Sequence, residues 1–356
     1  MKKAGLILIP IVILAVGFIV IRRQRSTVAD AKPQEINQNL KPQTGKLITS
    51  GQYEIDLSDL GYATEDEKVP AVYFTNEISS DALLDIYHAL DRTADGKVGV
   101  KIHTGEGDGS YNLDPELIKE LIQEVNGTIV ECNTAYGGNR SNTAAHMQIA
   151  KDHGYTEIAD VDIMDADGSM EIPVEGGSIL KSNLVGSHFA DYDFYIVLSH
   201  FKGHSMGGYG GALKNVAIGM ASSEGKSLVH SGGKKHTGFG MGTSSITFTE
   251  SMAEAVKSVS DYMDHGEKML FINIMNNISV DCDCVANPSE PDMHDIGILA
   301  STDPVALDQA CVDLLYAVPD GESVIKRMQS RNGEHILEHA EEIGVGSREY
   351  FLKQIK

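Results

Sequence analysis

Gly96-Lys97-Val98-Gly99-Val100-Lys101-Ile102-His103 is followed by the segment Asp114-Pro115-Glu116-Leu117-Ile118-Lys119-Glu120-Leu121-Ile122-Gln123-Glu124-Val125-Asn126-Gly127, and then by Thr128-Ile129-Val130-Glu131-Cys132. In the first segment Val98, Val100 and Ile102 alternate as a strand requires. Asp114 is placed to cap a helix whose first residue is Pro115. Leu117, Ile118, Leu121, Ile122 and Val125 supply its apolar stripe, and Gly127 stops it. Residues 128–132 then read as a second strand. A strand, a helix and a strand in this order form a βαβ unit, which joins parallel neighbours.

The same alternation continues along the chain. Residues 142–152 read as a helix stopped at Gly154, and 161–164 as a short strand. Residues 193–199 (DFYIVLS) read as a buried strand. Residues 250–264 form a helix ended by Gly266, and 269–274 and 295–300 are strands. Asp303 caps a helix that has Pro304 at its first position and runs to about Val318. The expected fold is α/β, with a mostly parallel sheet and flanking helices. The 200–245 stretch shows little periodicity, and no repeat of 20–50 residues is found.

An apolar run from Gly5 to Ile21, interrupted by Pro10, lies between Lys2–Lys3 and Arg22, Arg23 and Arg25. It is long for a signal core and has no small-residue cleavage site close behind, so residues 1–25 are expected to be an uncleaved single-pass membrane anchor. Residues 26–50 are polar and contain Pro33 and Pro42, as in a flexible stalk. The α/β domain would then occupy residues 51–356, on the outer face of the membrane. The chain of 356 residues carries a formal charge of −22 and no Trp. A nucleic-acid partner needs basic excess and stacking surfaces, so this class is set aside.

The candidate chemistry clusters where strands end, the edge at which parallel sheets bind ligands. Ser199-His200-Phe201-Lys202-Gly203-His204 runs on through a Gly-rich turn to Gly210-Gly211-Ala212-Leu213-Lys214-Asn215. His200, Lys202 and His204 are the candidate catalytic groups. Gly210, Gly211, Lys214 and Asn215 are candidate ligand contacts, the glycines letting backbone amides approach an anion. Lys101 and His103 end the first strand at the same edge. His230, Lys234, Lys235 and His236 add cations or form a solvated run. Gly219-Met220-Ala221-Ser222-Ser223-Glu224-Gly225-Lys226-Ser227 has one residue too many for a phosphate loop. The sequence contains no H-E-x-x-H or C-x-x-C.

Four cysteines are too few to staple a chain of this length. Cys282 and Cys284, separated by Asp283, are candidate metal ligands or a redox pair, with Cys311 either a third ligand or a core thiol. Soft thiolates suit Fe–S, Zn or Ni. His294 and Asp295 do not decide among these.

Taken in order, three segments resemble domain-of-unknown-function family 362 over about residues 70–345. They are Lys101–Gly105, Ser199–Gly219, and Cys282-Asp283-Cys284 with Asp295–Cys311. The resemblance implies an iron–sulfur-associated protein. Many members carry a cysteine-rich ferredoxin-like insert before the Cys-x-Cys segment. Here residues 235–249 stand in its place and contain no cysteine, so no ferredoxin-type cluster carries over. His200-Phe201, Gly210-Gly211 and Lys214 are also similar to a segment of the lactate racemase family, which uses a nickel-pincer cofactor. This likeness implies a pocket for a small hydroxy acid or an anionic cofactor. The resulting expectation is a metal- or cofactor-dependent enzyme acting on a small anion. A non-catalytic metal- or cofactor-binding module and a dithiol redox protein are the alternatives.

Overall fold

The computed structural model describes residues 47–107, 109–238 and 243–355. Its central sheet has eight strands: β1 (Ala71–Thr75), β2 (Val98–Lys101), β3 (Thr128–Glu131), β4 (Val161–Ile163), β5 (Phe194–His200), β6 (Met269–Met275), β7 (Gly297–Ser301) and β8 (Phe351–Gln354). Their spatial order is β8-β1-β7-β6-β5-β2-β3-β4. All run parallel except β7, which pairs antiparallel with both β6 and β1. The sheet is mostly parallel as expected, and β7 is the strand that reverses. No helix separates β6 from β7, and a parallel return would require a crossover.

Alternation along β5 sorts its side chains to two cores. Phe194, Ile196 and Leu198 join Val98, Val100 and Ile272 on one face, under helices α1 (Ser80–Ala89) and α2 (Pro115–Glu124). Tyr195 and Val197 join the other face, under α4 (Ala212–Gly219), α6 (Ser245–Tyr262) and α7 (Pro304–Ala317). Leu228 and Val229 of α5 (Ser223–His230) join this second core, and α3 (Thr143–Asp152) follows β3 in the chain. Helices on both faces explain why the strands are apolar throughout rather than on alternate positions. The expected caps are present: Asp114 accepts from Glu116 N, and Asp303 from Val305 N and Ala306 N. The 200–245 stretch is more ordered than its composition suggests, holding a short hairpin (Lys202–His204 with Gly208–Gly210) as well as α4 and α5.

The chain leaves β2 for β3 and β4, then returns to the opposite side of β2 as β5 and proceeds to β6. The carboxyl ends of β2 and β5 therefore diverge at a topological switch point, where α/β sheets open a crevice.

Leu47–Ser50 pairs with Tyr53–Asp56, and Ile48 and Ser50 are buried. The packed domain thus begins before the stalk boundary expected at residue 50. The rest of that stalk and the anchor expected over residues 5–21 lie outside the described residues. Among the described residues no helix is long and apolar enough to cross a membrane.

Candidate functional site

A cavity of about 380 Å³ opens at the switch point. Lys101 and His103 enter it from the end of β2, Glu131 and Cys132 from the end of β3, and Lys214 and Asn215 from α4. Arg140, His204, Lys226, His230 and Cys284 complete its polar wall. A smaller neighbouring cavity, about 40 Å³, is lined by His103, Ser199, His200, Gly210, Gly211, Lys214, Asn215, Cys282 and Asp283. Lys202 lines neither.

Asn215 ties the crevice together. Its amide Nδ2 donates to Lys101 O (3.3 Å), Leu198 O (3.3 Å) and Ser199 Oγ (3.1 Å), and its Oδ1 accepts from Lys101 Nζ (3.0 Å). Lys101 also donates to Ile102 O. Gly219 makes room for this ammonium, since a Cβ there would lie 2.6 Å from Nζ. Burial draws the Lys101 pKa down to about 8, partly countered by Glu131 at 4.0 Å.

Glu131 is the hub of the far wall. It accepts from Thr104 N (2.8 Å) and Arg140 (3.1 Å), and lies 2.7 Å from His146 Nε2. Burial would raise its pKa, but Lys101, Arg140 and His146 outweigh that and hold the carboxyl well below its ordinary range. Arg140 also donates to Glu106 (2.9 Å) and to the Tyr136 hydroxyl (3.2 Å). None of Glu131, Tyr136, Arg140 and His146 was legible as a site residue. A carboxylate ending a strand and an arginine in the following loop were the available signals.

The imidazoles are assigned by their partners. His204 Nδ1 accepts from Gly207 N (2.9 Å) and His103 Nδ1 from Gly105 N (3.1 Å), so each neutral ring carries its proton on Nε2. Burial, with nearby cations, pushes both well below the ordinary histidine range. His230 Nδ1 donates to Lys226 O (2.6 Å), and burial lowers its pKa to about 4.

His200 is different. Its Nε2 donates to Asn276 O (2.7 Å) and its Nδ1 faces Asp283 Oδ2 (2.9 Å), so both nitrogens point at acceptors. Lys202 donates to Asp283 Oδ1 (2.9 Å) and Tyr111 O (3.2 Å). Asp283 is buried, yet His200 and Lys202 hold its carboxyl far below the usual range. Two of the three expected catalytic groups therefore anchor the Cys282–Cys284 segment, and only His204 reaches the larger cavity.

Gly210 and Gly211 both line the smaller cavity. The amides of Ala212 and Leu213, which would have met an anion, donate to Asp308 (2.8 and 3.0 Å). Gly211 permits this approach, because a Cβ there would lie 2.4 Å from Asp308 Oδ1. Lys226, inside the rejected phosphate-loop lookalike, donates to Cys132 O and Ala221 O and still lines the cavity. Lys234, Lys235 and His236 are exposed.

Cys311 is a core thiol: fully buried on α7, 3.4 Å from Asn273 Nδ2, with a pKa pushed well up by burial. Among the described residues His204, Cys282 and Cys284 form the group close enough to share a metal ion, their ligand atoms lying within 4.8 Å of one another. Their chemistry does not fit a metal in this state. The two sulfurs are bonded to each other, and His204 has one ring nitrogen engaged by Gly207 N–H and a proton on the other. His335-Ile336-Leu337-Glu338-His339 has a zinc-helix spacing, but His335 is taken up by Glu250 and Glu338.

Two solved structures show a distant likeness to this chain. The lactate racemase apoprotein from Thermoanaerobacterium thermosaccharolyticum is 14% identical, with a TM-score of 0.39, over 75% of this chain and 61% of that one. A protein from Thermotoga maritima is 12% identical, with a TM-score of 0.37, over 73% and 59%. This chain thus spans less than two thirds of either. No curated protein matches it. The family described as a domain of unknown function, DUF362, matches residues 98–313, more than half of the chain.

Proposed function

This chain belongs to the DUF362 family, and we propose that it is an enzyme that binds a small organic anion in the switch-point cavity and moves a proton on it. The observation that carries the reading is Lys214. Its ammonium lines the cavity, and among the described residues no acceptor hydrogen-bonds it. Lys101, Lys226 and Arg140 share the wall; among the described residues Glu131 is the carboxylate lining it, and Glu106 pairs with Arg140 from behind. A surplus of buried positive charge costs several kcal/mol unless a counter-charge enters, and a small anion is that counter-charge.

Burial and repulsion from Arg140 and Lys101 bring the Lys214 pKa down to about 8. A lysine in that range exchanges protons near neutral pH. The Nε2–H groups of His103 and His204 supply hydrogen bonds to the anion without titrating. With Cys282 and Cys284 bonded to each other, no step is routed through a metal. The anchor read over residues 5–21 would hold this cavity at a membrane, with the domain on the outer face. Protease accessibility in sealed vesicles tests that placement.

The test of function uses calorimetry of the full chain with inorganic phosphate and with a panel of small 2-hydroxy, 2-oxo and dicarboxylic acids. Each ligand that binds is then incubated with the protein in D2O, and deuterium incorporation is read by NMR. Binding that Lys214→Met abolishes, with deuterium uptake, supports the enzyme. Binding without uptake across the panel leaves a carrier of anions. Absence of any binding overturns the reading.

A further inference from the structure

We propose that the Cys282–Cys284 disulfide is a thiol–disulfide exchange centre serving low-molecular-weight thiols that carry a negative charge. The choice of an anionic thiol rests on the anion-cavity reading above; the exchange centre itself does not.

The two sulfurs are bonded across one intervening residue. They are not equivalent. Cys284 is part of the wall of the larger cavity, where a small molecule has access, and is only half-buried. Cys282 is buried and borders the smaller cavity instead. The backbone N–H of Cys284 already donates to Cys282 Sγ at 3.3 Å. This assigns Cys284 as the sulfur that is attacked and Cys282 as the one that leaves, since the amide steadies the charge arriving on it. Asp283, between them, would oppose a thiolate, but its carboxylate is paired with His200 and Lys202. Cys132 also lines the larger cavity, but it is buried and burial pushes its thiol up to about 12, so it stays protonated, and Cys311 lies in the core.

The chemistry balances with the thiol as reductant. The thiolate of a first molecule attacks Cys284 Sγ; a new S–S bond forms, the Cys282–Cys284 bond breaks, and the electron pair leaves on Cys282. A second thiolate attacks the small molecule's sulfur in this mixed disulfide, and Cys284 leaves as thiolate. Two thiols are oxidised to one small disulfide, two electrons reduce the protein pair, and the two thiol protons pass to the two cysteines. The reverse sequence reduces a small disulfide.

The experiment compares 2-mercaptoethanesulfonate with 2-mercaptoethanol, near-matched thiols that differ in charge, on the native full chain. Reactions are quenched by alkylation and the cysteines mapped by mass spectrometry. The anionic thiol should open the disulfide about tenfold faster or more, the gain that a cationic cleft gives a charged ligand. In Cys282→Ser, the disulfide of the anionic thiol should form an adduct at Cys284. Lys214→Met should bring the rate ratio towards one, and Lys214→Arg should restore it. Equal rates for both thiols would leave an exchange centre but remove its anion selectivity, and with it support for the anion cavity. A disulfide opened only after denaturation, or cysteines already free in the purified oxidised chain, would overturn the exchange centre while leaving anion binding to its own calorimetric test.

Discussion

Replacing Glu131 by Gln should destabilise the protein by about 3–5 kcal/mol, the usual consequence of removing one partner from a buried ionic cluster. Gln keeps the volume and removes the charge. Arg140 at 3.1 Å and Lys101 at 4.0 Å then lose their shared carboxylate inside the cavity wall. At an effective dielectric constant of about 20, the Lys101 attraction alone is about 4 kcal/mol. Relief of the desolvated Glu131 charge offsets part of this. The amide also turns a donor towards Thr104 N–H, Arg140 or His146, all of which now bond to the carboxylate. Thermal unfolding followed by circular dichroism should show a Tm lower by about 5–8 °C. The pH dependence has a definite sign. The carboxyl is depressed in the folded state, so its contribution is complete above the unfolded Glu value of about 4.3 and disappears as pH falls. The stability gap between the two proteins should therefore close under acid conditions. Adding Lys101→Met to Glu131→Gln should recover at least about 1 kcal/mol by removing the orphaned cation. A loss under about 1 kcal/mol, or no recovery in the double variant, would refute the charge argument.

Three further outcomes are expected. Anion affinity should fall as pH rises through about 8, where Lys214 and Lys101 both lose protons; Lys214→Arg should make this alkaline limb shallower in calorimetric titrations, leaving the part due to Lys101. Gly219→Ala should destabilise by about 1–3 kcal/mol in urea unfolding, although alanine is favoured in helices, because its Cβ would lie 2.4 Å from Lys101 Cε. Asp283→Asn should lower stability by about 3–5 kcal/mol under non-reducing conditions by stranding His200 and Lys202; an unchanged unfolding midpoint would show that these groups find other partners.

Much of the fold was legible because local physics agreed with it. The alternation in β2, the Asp114–Pro115 and Asp303–Pro304 starts and the stop at Gly127 each depend on neighbours within a few residues. The βαβ unit at 98–131 therefore came out with its direction as well as its elements. The direction of β7 did not, since it depends on what joins two strands rather than on either strand. The site was legible to the extent that strand ends carry ligands: Lys101, His103, His204, Lys214, Asn215 and Cys284 all reach one cavity. Glu131 and Arg140 were missed because a lone carboxylate and a lone arginine have no spacing to recognise.

By itself the sequence determined the class of sheet, the caps, the edge at which chemistry gathers and the sign of the charge there. Tertiary structure alone decided which cations are available. Asp283 takes His200 and Lys202, Asp308 takes the amides after Gly211, and Cys311 is placed in the core rather than beside Cys282 and Cys284. The reason is physical: a charged side chain acts through the partners it meets across space. The Asp283–His200 and Asp308–Ala212 contacts bridge 83 and 96 residues of chain, a distance over which periodicity and local propensity carry no information.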